Sequence, residues 1–365
     1  MNTAGPLQGA QREATPVRSD TVLDVRELVT EFGRGANARR AVDGVSFALR
    51  RGEILGLVGE SGSGKSVTAL SVLRLIDPQA GRVTGGQVLF DGMDLATVAD
   101  AKMREIRGRR ISMIFQEPLS ALNPCYTIGD QIGEVFVAHG DGAGEATRKR
   151  VLELLKLVRI PDPEGILRRY PHEISGGMRQ RAMIAMALAY TPEVLIADEP
   201  TTALDVTIQA QVLNLIDGLR RELGLSVILI THDMGVVAQY TDRVAVMYGG
   251  RIAETGEVGA VFAQPRHPYT EGLLASVPRL GARWRNGVQR LPEIPGSVPG
   301  IGVLRQGCRF APRCSLAVDR CSQAVPPLTG AHGHAAACWV RSPTCDSMTP
   351  DAMAPDSMTT AQEHR

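Results

Sequence analysis

The stretch ILGLVGESGSGKS, residues 54–66, decides the fold. Ile54 to Val58 form a short apolar run and read as a buried strand. Gly59 to Ser66 then match G-x-x-x-x-G-K-[ST] in register, and Val67, Leu70, Val72, Leu73 and Leu75 follow in a helical pattern. Strand, glycine loop and helix is the context in which this motif has a mechanism. Glycines let the backbone wrap an anion with its N–H groups pointing inward, and the helix end adds a positive field. The expected fold is therefore α/β, a P-loop (RecA-like) nucleotide-binding core. Gly59, Ser61, Gly62, Ser63 and Gly64 form the cradle, Lys65 reaches the β- and γ-phosphates, and Ser66 ligates Mg²⁺.

Three further stretches bear on the same chemistry. In VLIADEP (194–200), Val194 to Ala197 read as a central strand ending in Asp198 and Glu199. Alone, such an ending also describes a solvated strand terminus. Downstream of a P-loop, Asp198 suits a direct or water-mediated hold on Mg²⁺, and Glu199 is placed to orient and polarise the attacking water. SVILIT (226–231) is a later strand that ends at His232, which either contacts the γ-phosphate or water, or is a plain loop residue. Ser175, Gly176 and Gly177, within ISGGMRQR (174–181), open a helical pattern and form a second phosphate-reading device. Two such devices in one chain suggest a clamp that closes when two copies or two relatives meet.

In this order the motifs resemble the ATP-binding subunit of an ABC transporter. The matching residues are Gly59–Ser66, Gln116 after ISMIF, ISGGMRQR, VLIADEP, TTALD (201–205) and His232, and the resemblance covers about residues 20–340. It implies ATP as the nucleotide, Glu199 as catalytic base and His232 as γ-phosphate sensor. Gln116 touches Mg²⁺ or water and senses the membrane partner. Ser175, Gly176 and Gly177 contact ATP held by the other subunit, and Asp205 lies at the dimer interface. Phe32, in LDVRELVTEF, either stacks on adenine or is a core aromatic of a half-buried strand. The widespread signature has Gln after its two glycines, whereas Met178 stands here. The SGGMRQR form resembles one of the two ATPase subunits in peptide-type importers. It implies a related second ATPase subunit as heterodimer partner.

Composition sets the limits. The chain has 365 residues, 44% hydrophobic and 22% charged, with a formal charge of +1. Nothing argues for a nucleic-acid surface or a polybasic anchor. No apolar run approaches the roughly 20 residues that span a bilayer, and the N-terminus lacks a secretory core. A transport motor of this kind docks on two separate permease subunits at the cytoplasmic face of the membrane, and meets an extracytoplasmic solute-binding protein only indirectly. The expected organisation is a flexible N-terminus (1–20), an ATPase domain (21–255) with a helical subdomain (about 118–190), a C-terminal extension (256–341) and a disordered tail (342–365).

Cys308, Cys314, Cys321 and Cys338 cluster late in the chain with spacing C-x5-C-x6-C-x16-C. Without paired C-x2-C knuckles, zinc is the weaker reading, and four thiolates suit a [4Fe–4S] cluster. Unmetallated thiols remain the third alternative. HPYTEGLLASVP (267–278), LPEIPGSVPGI (291–301) and GCRFAPRC (307–314) resemble the C-terminal extension of peptide-importer ATPases, some of which carry an iron–sulfur cluster on these cysteines. Cys125 and Cys345 fall outside the quartet. The expected function is ATP hydrolysis that powers uptake of di- or oligopeptides. The alternatives are a nickel or other small-solute importer, or a soluble ABC-type ATPase in translation or repair.

Overall fold

The computed structural model describes residues 20–342, apart from 118–120, 203, 278–292, 299, 301–305 and 332. The expected N-terminal segment, the tail and Cys345 thus lie almost wholly outside the described residues. Three apolar strands, β3 (Ile54–Val58), β7 (Val194–Asp198) and β8 (Ser226–Thr231), are buried along their whole length. Continuous apolar sequence is what a parallel sheet covered on both faces requires. With β6 (Ile111–Ile114) and β9 (Arg243–Tyr248) they form parallel pairs in the order β9-β3-β8-β7-β6. Val58 pairs with Thr231, and Asp198 pairs with Ile230. Gly59, Glu199 and His232, each the residue after its strand, therefore emerge together at the carboxyl edge, where open α/β sheets bind ligands.

Alternation along the strands divides the core. Val194, Ile196, Ile228 and Ile230 face an antiparallel sheet of order β2-β1-β4-β5 and the helix Lys65–Val72. Those strands are β1 (Thr21–Phe32), β2 (Arg39–Arg50), β4 (Gly81–Phe90) and β5 (Met93–Asp94). Leu195, Ala197, Val227 and Leu229 face the opposite way, into a core shared with Phe136, Leu155 and Ile184 of the helical subdomain. The period of two places consecutive residues on opposite faces, so one strand serves both layers. The expected start of the helical subdomain, 118–120, lies outside the described residues. Thr127 caps the helix Ile128–Ala138 by accepting the Asp130 N–H, and helices Glu145–Leu157 and Gly176–Ala187 follow.

The expected boundary at 255/256 falls inside β10 (Arg251–Glu257), and the extension is no separate unit. β10 pairs antiparallel with β9 on one side and with β12 (His334–Ala336) on the other, and β11 (Thr329–Ala331) follows β12. The extension thus lengthens the ATPase sheet to eight strands and covers the β10 edge. Glu254 of β10 is fully buried and accepts N–H bonds from Arg266 and His267. Its Oε1 lies 2.6 Å from Nε2 of His334. No helix among the described residues is long and apolar enough to cross a membrane.

Candidate nucleotide site

The loop after β3 demands its glycines. Gly59 has φ +153°, and a Cβ there would stand 2.2 Å from the Met247 carbonyl oxygen. A Cβ on Gly64 (φ +103°) would meet the Ala41 carbonyl at 2.8 Å. Lys65 opens the helix and is buried, with Nζ donating to the carbonyls of Gly59 (2.7 Å) and Glu60 (3.1 Å). Burial holds its pKa below the ordinary lysine value, against the opposing pull of Glu199, Asp198 and Glu60. A desolvated ammonium is a strong partner for phosphate. The Ser63 hydroxyl is buried in the same loop without a hydrogen-bond partner, a defect that a bound anion or its water satisfies.

The acidic end lies opposite. Ser66 Oγ donates to Asp198 Oδ1 at 3.1 Å, so the two expected Mg²⁺ ligands touch. Burial pushes the Asp198 carboxyl up; the Ser66 bond offsets this in part, and Glu199 adds to it. A divalent cation between these oxygens would relieve that cost, so the donor set fits Mg²⁺. Glu199 has φ +44°, a region uncommon for a residue with a Cβ, and its N–H is tied to the Ile230 carbonyl at 2.9 Å. Its Oε2 accepts from Gln116 Nε2 (3.0 Å) and Thr202 Oγ1 (2.9 Å), and Oε1 lies 3.3 Å from His232 Nδ1. Gln116, Glu199 and His232 are thus brought together. Thr202 is an addition; it stood in TTALD without a role, because a lone Thr carries no spacing signal.

Ser175 caps the helix Gly176–Ala187, its hydroxyl accepting the Met178 N–H at 3.4 Å. Asp205 caps the helix Val206–Leu223 through the Ile208 N–H at 3.0 Å. A Cβ on Gly177 would meet Ile208 at 3.0 Å, so the two helix starts lie against each other. Ser175 and Asp205 are exposed, and Val206 beside them is 82% exposed. Phe32 is half-buried at the end of β1, paired with Arg39 and Gly81. Met178 packs against the helical-subdomain core.

Cys308, Cys314, Cys321 and Cys338 line one small cavity with His267 and Phe310. All four are free thiols, as is the exposed Cys125. Burial pushes the Cys308 thiol up to about 11, with Cys321 and Cys338 adding to the shift. Neighbouring backbone N–H groups, of Phe310 and Ala311 at Cys308 and of Leu316 at Cys314, partly offset the upward shift of each thiol. Among the described residues, no group of three or more His, Cys, Asp or Glu side chains is placed to hold a metal ion.

Comparison with known proteins agrees with this geometry. Residues 42–202 match the family model of the ABC transporter, and residues 253–321 match that of the oligopeptide/dipeptide transporter, C-terminal region. A probable peptide ABC transporter ATP-binding protein of Sinorhizobium fredii is 54% identical over 323 residues, covering 88% of this chain and 96% of the relative. The chain belongs to the ABC transporter ATP-binding proteins. This ABC ATPase is also 51% identical to the dipeptide transport ATP-binding protein DppD of Bacillus subtilis, over 88% of the chain and 95% of that protein. A solved ATP-binding cassette, dimeric in a post-hydrolysis state with ADP and Pi, covers 65% of the chain at TM-score 0.57 and 28% identity. The match takes in 98% of that cassette.

Proposed function

We propose that this ABC ATPase powers the import of di- or oligopeptides through membrane-spanning permeases. The carrying observation is the peptide-transporter C-terminal region at 253–321, joined to a nucleotide site whose Glu199 carboxylate is held by Gln116 and Thr202, with His232 beside it. Lys65 and the loop N–H groups hold the phosphates of ATP. Glu199 accepts a proton from the attacking water, and His232 steadies the γ-phosphate side. Ser66 and Asp198, with Gln116, would hold Mg²⁺, which would supply charge neutralisation at the phosphoryl group. Ser175, Gly176 and Gly177 complete the site of a second subunit, with Asp205 and Val206 in the same interface. Met178 favours a related, unlike partner. Phe32 is the aromatic available to adenine.

The helical subdomain carries a cavity of about 960 Å³ lined by Tyr126, Asp130, Glu134, Val137 and Arg148 among others. Tyr126 is 55% exposed and Val137 46%. This mix of apolar and charged groups suits a short amphipathic helix of a permease on the cytoplasmic face of the membrane. Purification from membranes, with a tag on this chain, is expected to bring down two membrane-spanning permeases and a second ATPase. Recovery of the chain alone from the soluble fraction, with peptide uptake unaffected by its deletion, would favour a soluble ABC ATPase instead. Uptake of nickel but not of peptides would shift the substrate class.

We infer also that the four late cysteines hold a [4Fe–4S] cluster. The four thiols line one small cavity, and four cysteines are the usual ligand set of such a cluster. Bound there, the cluster would cross-link a loop-rich segment. Protein prepared without oxygen is expected to be brown and to contain about four irons. Cys308→Ser and Cys321→Ser are expected to lose the colour. A colourless, iron-free wild type would defeat the assignment.

A further inference from the structure

Among the described residues, the hydrogen bonds from the extension to the phosphate loop converge on Glu60. Arg313 donates to both of its carboxylate oxygens, Nη1 to Oε2 at 2.7 Å and Nη2 to Oε1 at 3.0 Å. The Glu60 N–H donates to the Tyr269 hydroxyl at 2.8 Å. The Glu60 carbonyl accepts from Lys65 Nζ at 3.1 Å and from the Ser63 N–H at 3.2 Å. Every polar group of this residue is therefore engaged. The N–H and carboxylate are held by the extension, and the carbonyl by the loop itself.

Both outer partners are rigid. The Arg313 side chain is 6% exposed, and Nε donates to the Pro295 carbonyl at 2.7 Å. Tyr269 is fully buried, with its ring 4.6 Å from that of Tyr248 and 5.4 Å from that of Phe310. A two-point arginine–carboxylate pair fixes orientation as well as distance. A glycine-rich loop loses much conformational freedom when it closes on phosphate. Holding it in the closed shape beforehand improves affinity without any contact to the ligand.

We propose that Arg313 and Tyr269 are positioning residues for ATP: they clasp Glu60, pre-set the phosphate loop, and make nucleotide affinity depend on the C-terminal extension. The proposal rests on the reading of Gly59–Ser66 as the nucleotide site. It goes beyond that reading because both residues lie outside Gly59–Ser66 in the C-terminal extension, and because Arg313 sits between Cys308 and Cys314. Any change that loosens the cysteine-lined segment then reaches the P-loop through one side chain.

The test is equilibrium binding of fluorescent Mg²⁺–ATP to the full chain, with turnover measured beside its partner subunits. Arg313→Gln and Glu60→Gln are each expected to weaken binding about tenfold. The double variant is expected to be no weaker than the worse single one, since each removes the same contact. Tyr269→Phe keeps the ring cluster and should weaken binding about threefold, which guards against a fold-loss explanation. For Arg313→Gln and Tyr269→Phe, KM for ATP should rise while kcat at saturation stays near wild type. Unchanged affinity in all three single variants, additive losses in the double, or a fall in kcat at constant KM would each overturn the clasp. Failure of the wild type to bind Mg²⁺–ATP would overturn the nucleotide site itself, a result distinct from these.

Discussion

Glu199→Gln is expected to lower ATP turnover by roughly 10²–10⁴-fold while ATP binding persists. Glutamine preserves the shape and the bonds available to Gln116 and Thr202, so the local cage around position 199 should survive. What is lost is the ability to accept a proton from water. The carboxylate sits after β7 in a backbone conformation that a side-chain-bearing residue seldom adopts, and its N–H is tied to β8. That sets Glu199 just beyond the strand end, at the edge where Gly59 and His232 also emerge. Single-turnover hydrolysis with size-exclusion chromatography reads both effects. ATP should accumulate uncleaved in a closed dimer. Turnover within a few-fold of wild type would remove Glu199 from the chemistry.

Lys65→Met should abolish function at an earlier step. Methionine fills a comparable volume but supplies no positive charge. The substitution leaves the carbonyls of Gly59 and Glu60 without this donor and the phosphates without their desolvated cation. Losing a charge-assisted contact of about 3 kcal/mol corresponds to affinity weakened more than about 100-fold. Titration with Mg²⁺–ATP, alongside circular dichroism to establish that the chain is folded, separates this from misfolding. Binding within about threefold of wild type would show that the backbone cradle alone holds the nucleotide. The two variants should thus differ in kind: Glu199→Gln binds and stalls, whereas Lys65→Met does not bind.

The parts legible in the sequence were those whose signal is local. ILGLV, VLIAD and SVILIT are continuous apolar runs, and a strand buried on both faces has no other way to be written. Lys65 and Ser66 follow their glycines within a few positions, and Glu199 and His232 each follow a strand. Long-range pairing left no such trace. Arg313 and Glu60 are 253 positions apart, and Tyr269 and Glu60 are 209 apart. Nothing in either neighbourhood announces the other. β11 and β12 have three residues each, too short for a period-two pattern to rise above ordinary loop sequence. The cysteines were conspicuous as a group. Their common cavity depends on how residues 306–342 fold back, which spacing alone does not determine.

The continuation of the ATPase sheet into β12 bears on how modular this protein is. A cassette cut at 255/256 would end partway along a strand and leave behind a bare sheet edge. It would also strip Glu254 of the Arg266 and His267 N–H groups and of His334. Glu254 would then lie near a new chain end, without the strand that covers it or the donors that hold it. The last third of the chain is therefore not cargo attached to a finished engine. The catalytic unit and its extension share one continuous sheet, so removing the extension requires a new edge for β10.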